Sequence, residues 1–136
     1  MNDADWQRLE RAARAAAANA HCPYSDFAVG AAVLTADGAI AAGCNVENAS
    51  FGLTICAERN AIFRAVADGA RAIVAVAIYT PTAAPAMPCG ACRQVIAEFG
   101  RDAVVRCVCD GSEHIQHTLA DLLPAAFTLP TSGSEQ

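Results

Sequence analysis

No stretch of this chain reaches the about 18 uninterrupted apolar residues that a membrane-crossing helix needs, and its first twenty positions carry Asp3, Asp5, Arg8, Glu10, Arg11 and Arg14. A bilayer span is therefore not expected. Charges spread along a helical repeat are the wrong pattern for an export signal, so the chain reads as cytoplasmic. Clustered positive charge is missing as well: the formal net charge is −5, and the one arginine group, Arg8, Arg11 and Arg14, has helical spacing with Glu10 between. Nucleic-acid binders gain affinity by neutralising several phosphates with grouped cations. That partner class is not expected here, and the arginines read as a solvated helix face. Aromatic residues are scarce, at 6%, while 54% of the chain is hydrophobic, largely Ala and Val. Such a surplus suits helices buried on two sides or subunit interfaces.

With 136 residues the chain fits one domain, 1–136, with 131–136 expected to fray. Seven cysteines make an odd number without an export signal. A disulfide framework explains that poorly; metal binding or burial explains it better.

Apolar residues at intervals of three and four, Trp6, Leu9, Ala13, Ala16, Ala17 and Ala20, predict an amphipathic helix over 5–20. A hairpin follows over 27–35 and 39–44 around Ala36-Asp37-Gly38. Residues 50–53 read as loop, 56–68 as a helix closed by Gly69, 72–79 as a buried strand and 81–88, with three prolines, as loop. A third helix spans 90–99, a strand 103–109, and a short helix 119–123. The polar stretch with His114 and His117 reads as a surface loop. The order αββαβαβα implies a three-layer α/β/α sandwich with a mixed central sheet.

Two short clusters carry the chemistry: Cys56-Ala57-Glu58 and Pro88-Cys89-Gly90-Ala91-Cys92, each opening a predicted helix and separated by one strand. Cys89 and Cys92, three apart, converge on one helical turn, and Cys56 supplies a third sulfur. Three protein ligands leave a zinc ion one open position, as a catalytic rather than a structural site requires. Helix N-termini favour thiolate over thiol. Three thiolates leave the ion with net negative charge, and Arg59 is placed to offset it by hydrogen-bonding the sulfurs. Glu58 is too near Cys56 in sequence to be a convenient ligand but suited to move protons at the open position. Taken alone, Cys56 is an ordinary buried residue and Cys-x-x-Cys a redox pair or half of a structural zinc module. Their joint occurrence points to catalytic zinc.

At these residues the chain resembles the small homotetrameric zinc-dependent cytidine deaminases. The resemblance extends from Cys22-Pro23-Tyr24-Ser25 and Phe27-x-Val29-Gly30-Ala31-Ala32, through Gly43-Cys44-Asn45-Val46-Glu47-Asn48-Ala49-Ser50 and Cys56-Ala57-Glu58-Arg59, to Pro88-Cys89-Gly90-Ala91-Cys92-Arg93-Gln94 and Leu122-Leu123-Pro124-x-x-Phe127. It implies hydrolytic deamination of cytidine and deoxycytidine by zinc-activated water, in pyrimidine salvage, with Glu58 as proton shuttle and Cys56, Cys89 and Cys92 as ligands. It further implies that Asn45 and Glu47 bind ribose hydroxyls, that Phe27 packs on the pyrimidine, and that the Ala57 amide donates to the base carbonyl. Ala49, Phe51 and Phe127 would complete neighbouring sites in a tetramer with shared active sites. Phe51 stands where relatives commonly carry tyrosine, so a phenolic hydrogen bond is lost there.

Two other classes remain as alternatives. A structural zinc module would need a fourth protein ligand and has no use for Glu58; a redox protein would use Cys89 and Cys92 as a dithiol. Among deaminases, a nucleotide substrate calls for a phosphate site, and no basic cluster lies near the motifs. Deaminases of nucleoside antibiotics fit Asn45-Val46-Glu47-Asn48 less well. A free pyrimidine nucleoside is the expected partner.

Overall fold

The first helix begins with a reciprocal cap: Asn2 Oδ1 accepts from the Asp5 amide at 2.8 Å while the Asp5 carboxylate takes the Asn2 amide at 3.3 Å. In the computed structural model, which describes residues 1–132, this opens α1 (Asp3–Ala17). The expected fraying of 131–136 falls, for residues 133–136, outside the described residues. α1 stops three residues before the sequence reading placed its end. Ala18, Asn19 and Ala20 continue only as turns, their amides donating to carbonyls three residues back.

The hairpin forms as expected from β1 (Gly30–Thr35) and β2 (Ile40–Cys44), paired antiparallel from Gly30 opposite Cys44 to Leu34 opposite Ile40. Its turn needs Gly38, whose φ is +91°. Then come α2 (Ala57–Ala67), β3 (Ile73–Tyr79), α3 (Gly90–Phe99), β4 (Val104–Val108), β5 (Ile115–Thr118) and α4 (Leu119–Leu122). Residues Phe51–Leu53, expected as loop, make a single 3-10 turn.

The sheet runs β2-β1-β3-β4-β5, and β3 with β4 is its parallel pair. All other neighbours are antiparallel, which gives the mixed sheet anticipated from sequence. Trp6, Leu9 and Ala13 of α1 cover one face with Ala32, Leu34, Ala75 and Ala77. Ala57, Ala61 and Ile62 of α2 and Ile96 of α3 cover the other with Ala31, Val33, Val76, Ile78 and Val105. Alternation along β1 and β3 thus sorts one strand's residues into two cores, which makes the three layers.

Two differences from the sequence reading stand out. β5 was read as part of a polar loop, yet His117 pairs with Val105 across the β4–β5 ladder; all four β5 residues are exposed, so no hydrophobic alternation marks the strand. In β3 the expected burial on both faces fails at Val74, which is exposed.

The hairpin is thin where the helices cross it. A Cβ on Gly43 would lie 2.4 Å from the Ala61 amide nitrogen and 3.0 Å from the Ala57 carbonyl oxygen. α2 therefore rests directly on the backbone of β2, and Asn60 Nδ2 fastens the contact by donating to the Cys44 carbonyl at 2.8 Å. The start of α2 is thereby held beside the residues that follow Cys44.

Candidate active site

Cys56 and Cys89 are the residues immediately before α2 and α3, and neither side chain caps its helix by a hydrogen bond. Both sulfurs are free to turn toward the space between the helix starts. There the Sγ atoms of Cys56, Cys89 and Cys92 all lie within 4.8 Å of one another, and Cys56 Sγ stands 3.9 Å from Cys89 Sγ. Tetrahedral zinc with Zn–S bonds of about 2.3 Å sets its sulfurs roughly 3.8 Å apart. The donor set fits that ion in type and spacing. Among the described residues no fourth His, Cys, Asp or Glu joins this cluster, as an open coordination position requires.

Arg59 faces the sulfurs from the first turn of α2. Its Nη2 donates to Cys56 Sγ at 3.4 Å, and its buried Nε has no hydrogen-bond partner. A guanidinium turned to sulfur, with a donor left over, suits a centre rich in thiolate. The Cys92 thiol and then the Arg59 guanidinium hold the Cys56 thiol down, at about 5. Cys92 shifts the other way, because the Cys56 sulfur beside it and then burial both disfavour a second anion.

The cluster forms part of the wall of a cavity of about 390 Å³ that includes Cys56, Ala57, Glu58 and Cys89. Glu58 is 4% exposed. Burial pushes its carboxyl above the usual range, and the Cys56 sulfur adds to the shift, while its own amide and the Cys92 thiol pull the other way. A carboxyl that is easily protonated next to a sulfur cluster is equipped to take up and return protons.

Phe27, Asn45 and Glu47 line the same cavity. Asn45 follows β2 and ties two strands of chain together: Nδ2 donates to the Phe27 carbonyl at 2.8 Å and Oδ1 accepts from the Val29 amide at 2.9 Å. One N–H and one lone pair remain on it for a ligand. Glu47 Oε1 accepts the amides of Tyr24 and Ser25 at 3.0 and 3.2 Å, and Oε2 accepts the Ser25 hydroxyl. That hydroxyl, followed by the two amides, keeps the half-buried Glu47 carboxyl below its usual range. The site thus has a fixed carboxylate and a half-committed amide at one strand end, with Phe27 beside them.

Ala49, Phe51 and Phe127 are not brought to this cavity. Phe51 and Phe127 are 75% and 70% exposed, and Ala49 is exposed. Phe51 stacks edge-to-face on Tyr24, with ring centres 6.1 Å apart, and Phe127 lies where α3 meets the chain beyond α4, its carbonyl accepting from Gln94 Nε2 at 3.1 Å. Sequence reasoning also missed lining residues: Ser25, Val29, Thr54, Ile78, Thr80, Ala86 and Met87. Ser25 and Val29 belong to the Cys22-Pro23-Tyr24-Ser25 and Phe27-x-Val29-Gly30 motifs, which by themselves assign them no role. The others reach the cavity through tertiary packing alone, with no signal in the sequence.

A family model described as the cytidine and deoxycytidylate deaminase zinc-binding region matches residues 4–108. The chain is 46% identical over 125 residues to a cytidine deaminase of Sporosarcina psychrophila, covering 91% of this chain and 92% of that one. It is 45% identical over 132 residues to a cytidine deaminase of Halalkalibacterium halodurans, covering 91% and 95%. Its fold is similar to the crystal structure of cytidine deaminase from Burkholderia pseudomallei, with a TM-score of 0.87 and 45% identity over 93% of this chain and all of that one.

Proposed function

Because this chain belongs to the cytidine and deoxycytidylate deaminase family, we propose that it removes the 4-amino group of free cytidine and deoxycytidine by hydrolysis, releasing uridine or deoxyuridine and ammonia in pyrimidine salvage. The observation that carries this reading is the position of a buried carboxyl, Glu58, in the same cavity wall as Cys56 and Cys89, two members of a three-sulfur cluster with zinc spacing.

When bound by Cys56, Cys89 and Cys92, zinc supplies Lewis acidity that lowers the pKa of water. Glu58 then takes a proton from the attacking water at its carboxylate and returns protons to N3 of the pyrimidine and to the departing amine. Burial makes the protonated form of Glu58 accessible, so one group can serve as base and acid in turn. Arg59 offsets the charge of the sulfurs. Phe27 stacks on the base, the Ala57 amide at the start of α2 donates to its carbonyl, and Asn45 and Glu47 hold sugar hydroxyls. The anionic Glu47 beside the sugar and the lack of any arginine in the cavity wall favour a nucleoside over a nucleotide.

We read residues 1–136 as one catalytic domain acting in the cytoplasm; among the described residues no helix is long and apolar enough to cross a membrane. A homotetramer with shared sites fits the exposed Tyr24, Phe51, Leu53, Phe127 and Leu129, with Ala49, Phe51 and Phe127 meeting a neighbouring site. An ultraviolet assay on cytidine, deoxycytidine, cytosine and dCMP tests the assignment. Turnover of both nucleosides is expected, with the free base and the nucleotide left unconverted; conversion of dCMP alone would overturn it.

A further inference from the structure

We propose that Ser25 is a positioning residue that sets how strongly the site demands a hydroxylated sugar, because its one hydroxyl orients the Glu47 carboxylate; this rests on the deaminase reading above, in which Glu47 holds a sugar hydroxyl. Ser25 ends the Cys22-Pro23-Tyr24-Ser25 run between α1 and β1 and lines the cavity beside Phe27 and Glu47. The run closes as a turn. The Asp26 amide donates to the Cys22 carbonyl at 2.9 Å, and Asp26 takes a φ of +55°, a conformation that aspartate tolerates better than most side chains. Three donors on two consecutive residues, the Tyr24 and Ser25 amides and the Ser25 hydroxyl, thereby meet a single carboxylate.

The direction of the hydroxyl is settled by its neighbours. Ser25 Oγ accepts from the Phe27 amide at 3.1 Å, which occupies a lone pair and leaves its proton for Glu47 Oε2. Glu47 Oε1 is already taken by the two amides, at 3.0 and 3.2 Å. A carboxylate offers about four acceptor positions, so the one left open is on Oε2. The Ser25 hydroxyl is also the leading cause of the low Glu47 carboxyl, and an ionised carboxylate can only accept. What Glu47 presents to a ligand is a single fixed acceptor.

Held at both oxygens, the carboxylate cannot turn about its last bond, and hydrogen bonds to an ionised acceptor are stronger than those between neutral groups. Without the serine hydroxyl, Oε2 has no partner in the protein, and the cost of ordering the group passes to the ligand. That cost falls only on a ligand that gives Glu47 a hydroxyl. A nucleoside with a bare sugar ring never uses the open position and is indifferent to it. The Phe27 amide also loses its acceptor, but this bond lies in an exposed part of the chain where water can replace the hydroxyl, so the contact to the base is spared.

The test compares kcat/KM for cytidine and for 2′,3′-dideoxycytidine, which offers neither ring hydroxyl, on zinc-loaded wild type, Ser25→Ala, Ser25→Thr and Ser25→Cys, and adds Ser25→Ala to a Glu47→Gln background. Ser25→Ala should lower the cytidine value by roughly tenfold, through KM rather than kcat, while the dideoxy value stays near wild type, so that the preference for a hydroxylated sugar shrinks. Ser25→Thr, which keeps the hydroxyl, should restore the wild-type ratio. If Ser25→Ala does not fold, Ser25→Cys reads the same ratio, which its weaker thiol donor should lower. In Glu47→Gln the carboxylate is gone, and the added Ser25→Ala should cost cytidine nothing further. Equal losses on both substrates, an unchanged ratio in Ser25→Ala and Ser25→Cys, or an undiminished loss in the Glu47→Gln background would overturn the role of Ser25 while leaving the deaminase reading intact. Wild type that converts neither substrate would overturn both.

Discussion

The sulfurs of Cys56 and Cys89 lie 3.9 Å apart although 33 residues separate them in sequence. One short strand and two helix starts close that gap, and the resulting triangle with Cys92 matches what a tetrahedral ion demands of three ligands. Replacing one sulfur should therefore remove the ion. Cys89→Ala is expected to retain far-ultraviolet circular dichroism, to contain close to no zinc by elemental analysis, and to lose activity below detection. A variant that still held one zinc per chain would refute the ligand assignment.

Glu58 is the buried acid of the site. Glu58→Gln preserves size and hydrogen-bonding shape but cannot exchange a proton. Zinc content and melting temperature should stay near those of wild type, while kcat falls by about 10³ to 10⁴, the scale of general acid–base catalysis. A kcat within tenfold of wild type would show that protons travel by another route.

Arg59 donates to Cys56 Sγ, and groups that orient metal ligands are commonly worth about 10 to 100 in affinity. In Arg59→Gln a competing chelator should strip zinc at correspondingly lower concentration, with the substrate KM of the still-loaded fraction little changed. Unaltered zinc affinity would assign the guanidinium to packing only.

Asn45 joins the end of β2 to Phe27 and Val29 by two hydrogen bonds. Asn45→Ala should cost about 1 to 3 kcal/mol of stability, measured by denaturant unfolding, because the Phe27 carbonyl and Val29 amide lose their partner. KM should rise by more than kcat falls, since the proposed sugar contact is lost and the placement of the Phe27 ring is disturbed. Unchanged stability would mean that water replaces both bonds without loss.

Cys107 is 1% exposed on β4, and burial, with the Glu58 charge adding to it, raises its thiol from 9.0 to about 12. Unfolded chain therefore gives up the proton first as pH rises, so fewer protons are bound by the unfolded than by the native state between those values. This cysteine's contribution makes stability fall with rising pH across that window. In native protein at pH 8, Cys107 should resist alkylation for as long as the fold persists, whereas Cys22 and Cys44, both half-buried, should react. Peptide mass spectrometry before and after denaturation reads this out; rapid native labelling of Cys107 would contradict it.

Much of this architecture is legible in the chain because its signals are local. The intervals of Trp6, Leu9 and Ala13 mark α1, the run 72–79 marks β3, and Cys-Ala-Glu with Pro-Cys-Gly-Ala-Cys marks the sulfur centre. β5 gives no such signal. Its residues all face solvent, so pairing with β4 alone makes it a strand. Thr80 is hidden for a different reason: it reaches the cavity through tertiary packing, which no local spacing announces. Phe51 and Phe127 take a role only through family resemblance, and one chain on its own leaves both rings facing outward.

The bare backbone at Gly43 has a consequence for how this molecule can change. With nothing but hydrogen between β2 and α2, the interval separating Asn45 and Glu47 from the sulfur centre is a ruler graduated in main chain, indifferent to rotamers. Mutations elsewhere can reshape the outer rim of the pocket without altering that interval. A methyl group at this one position would force strand and helix apart, and with them the two halves of the chemistry.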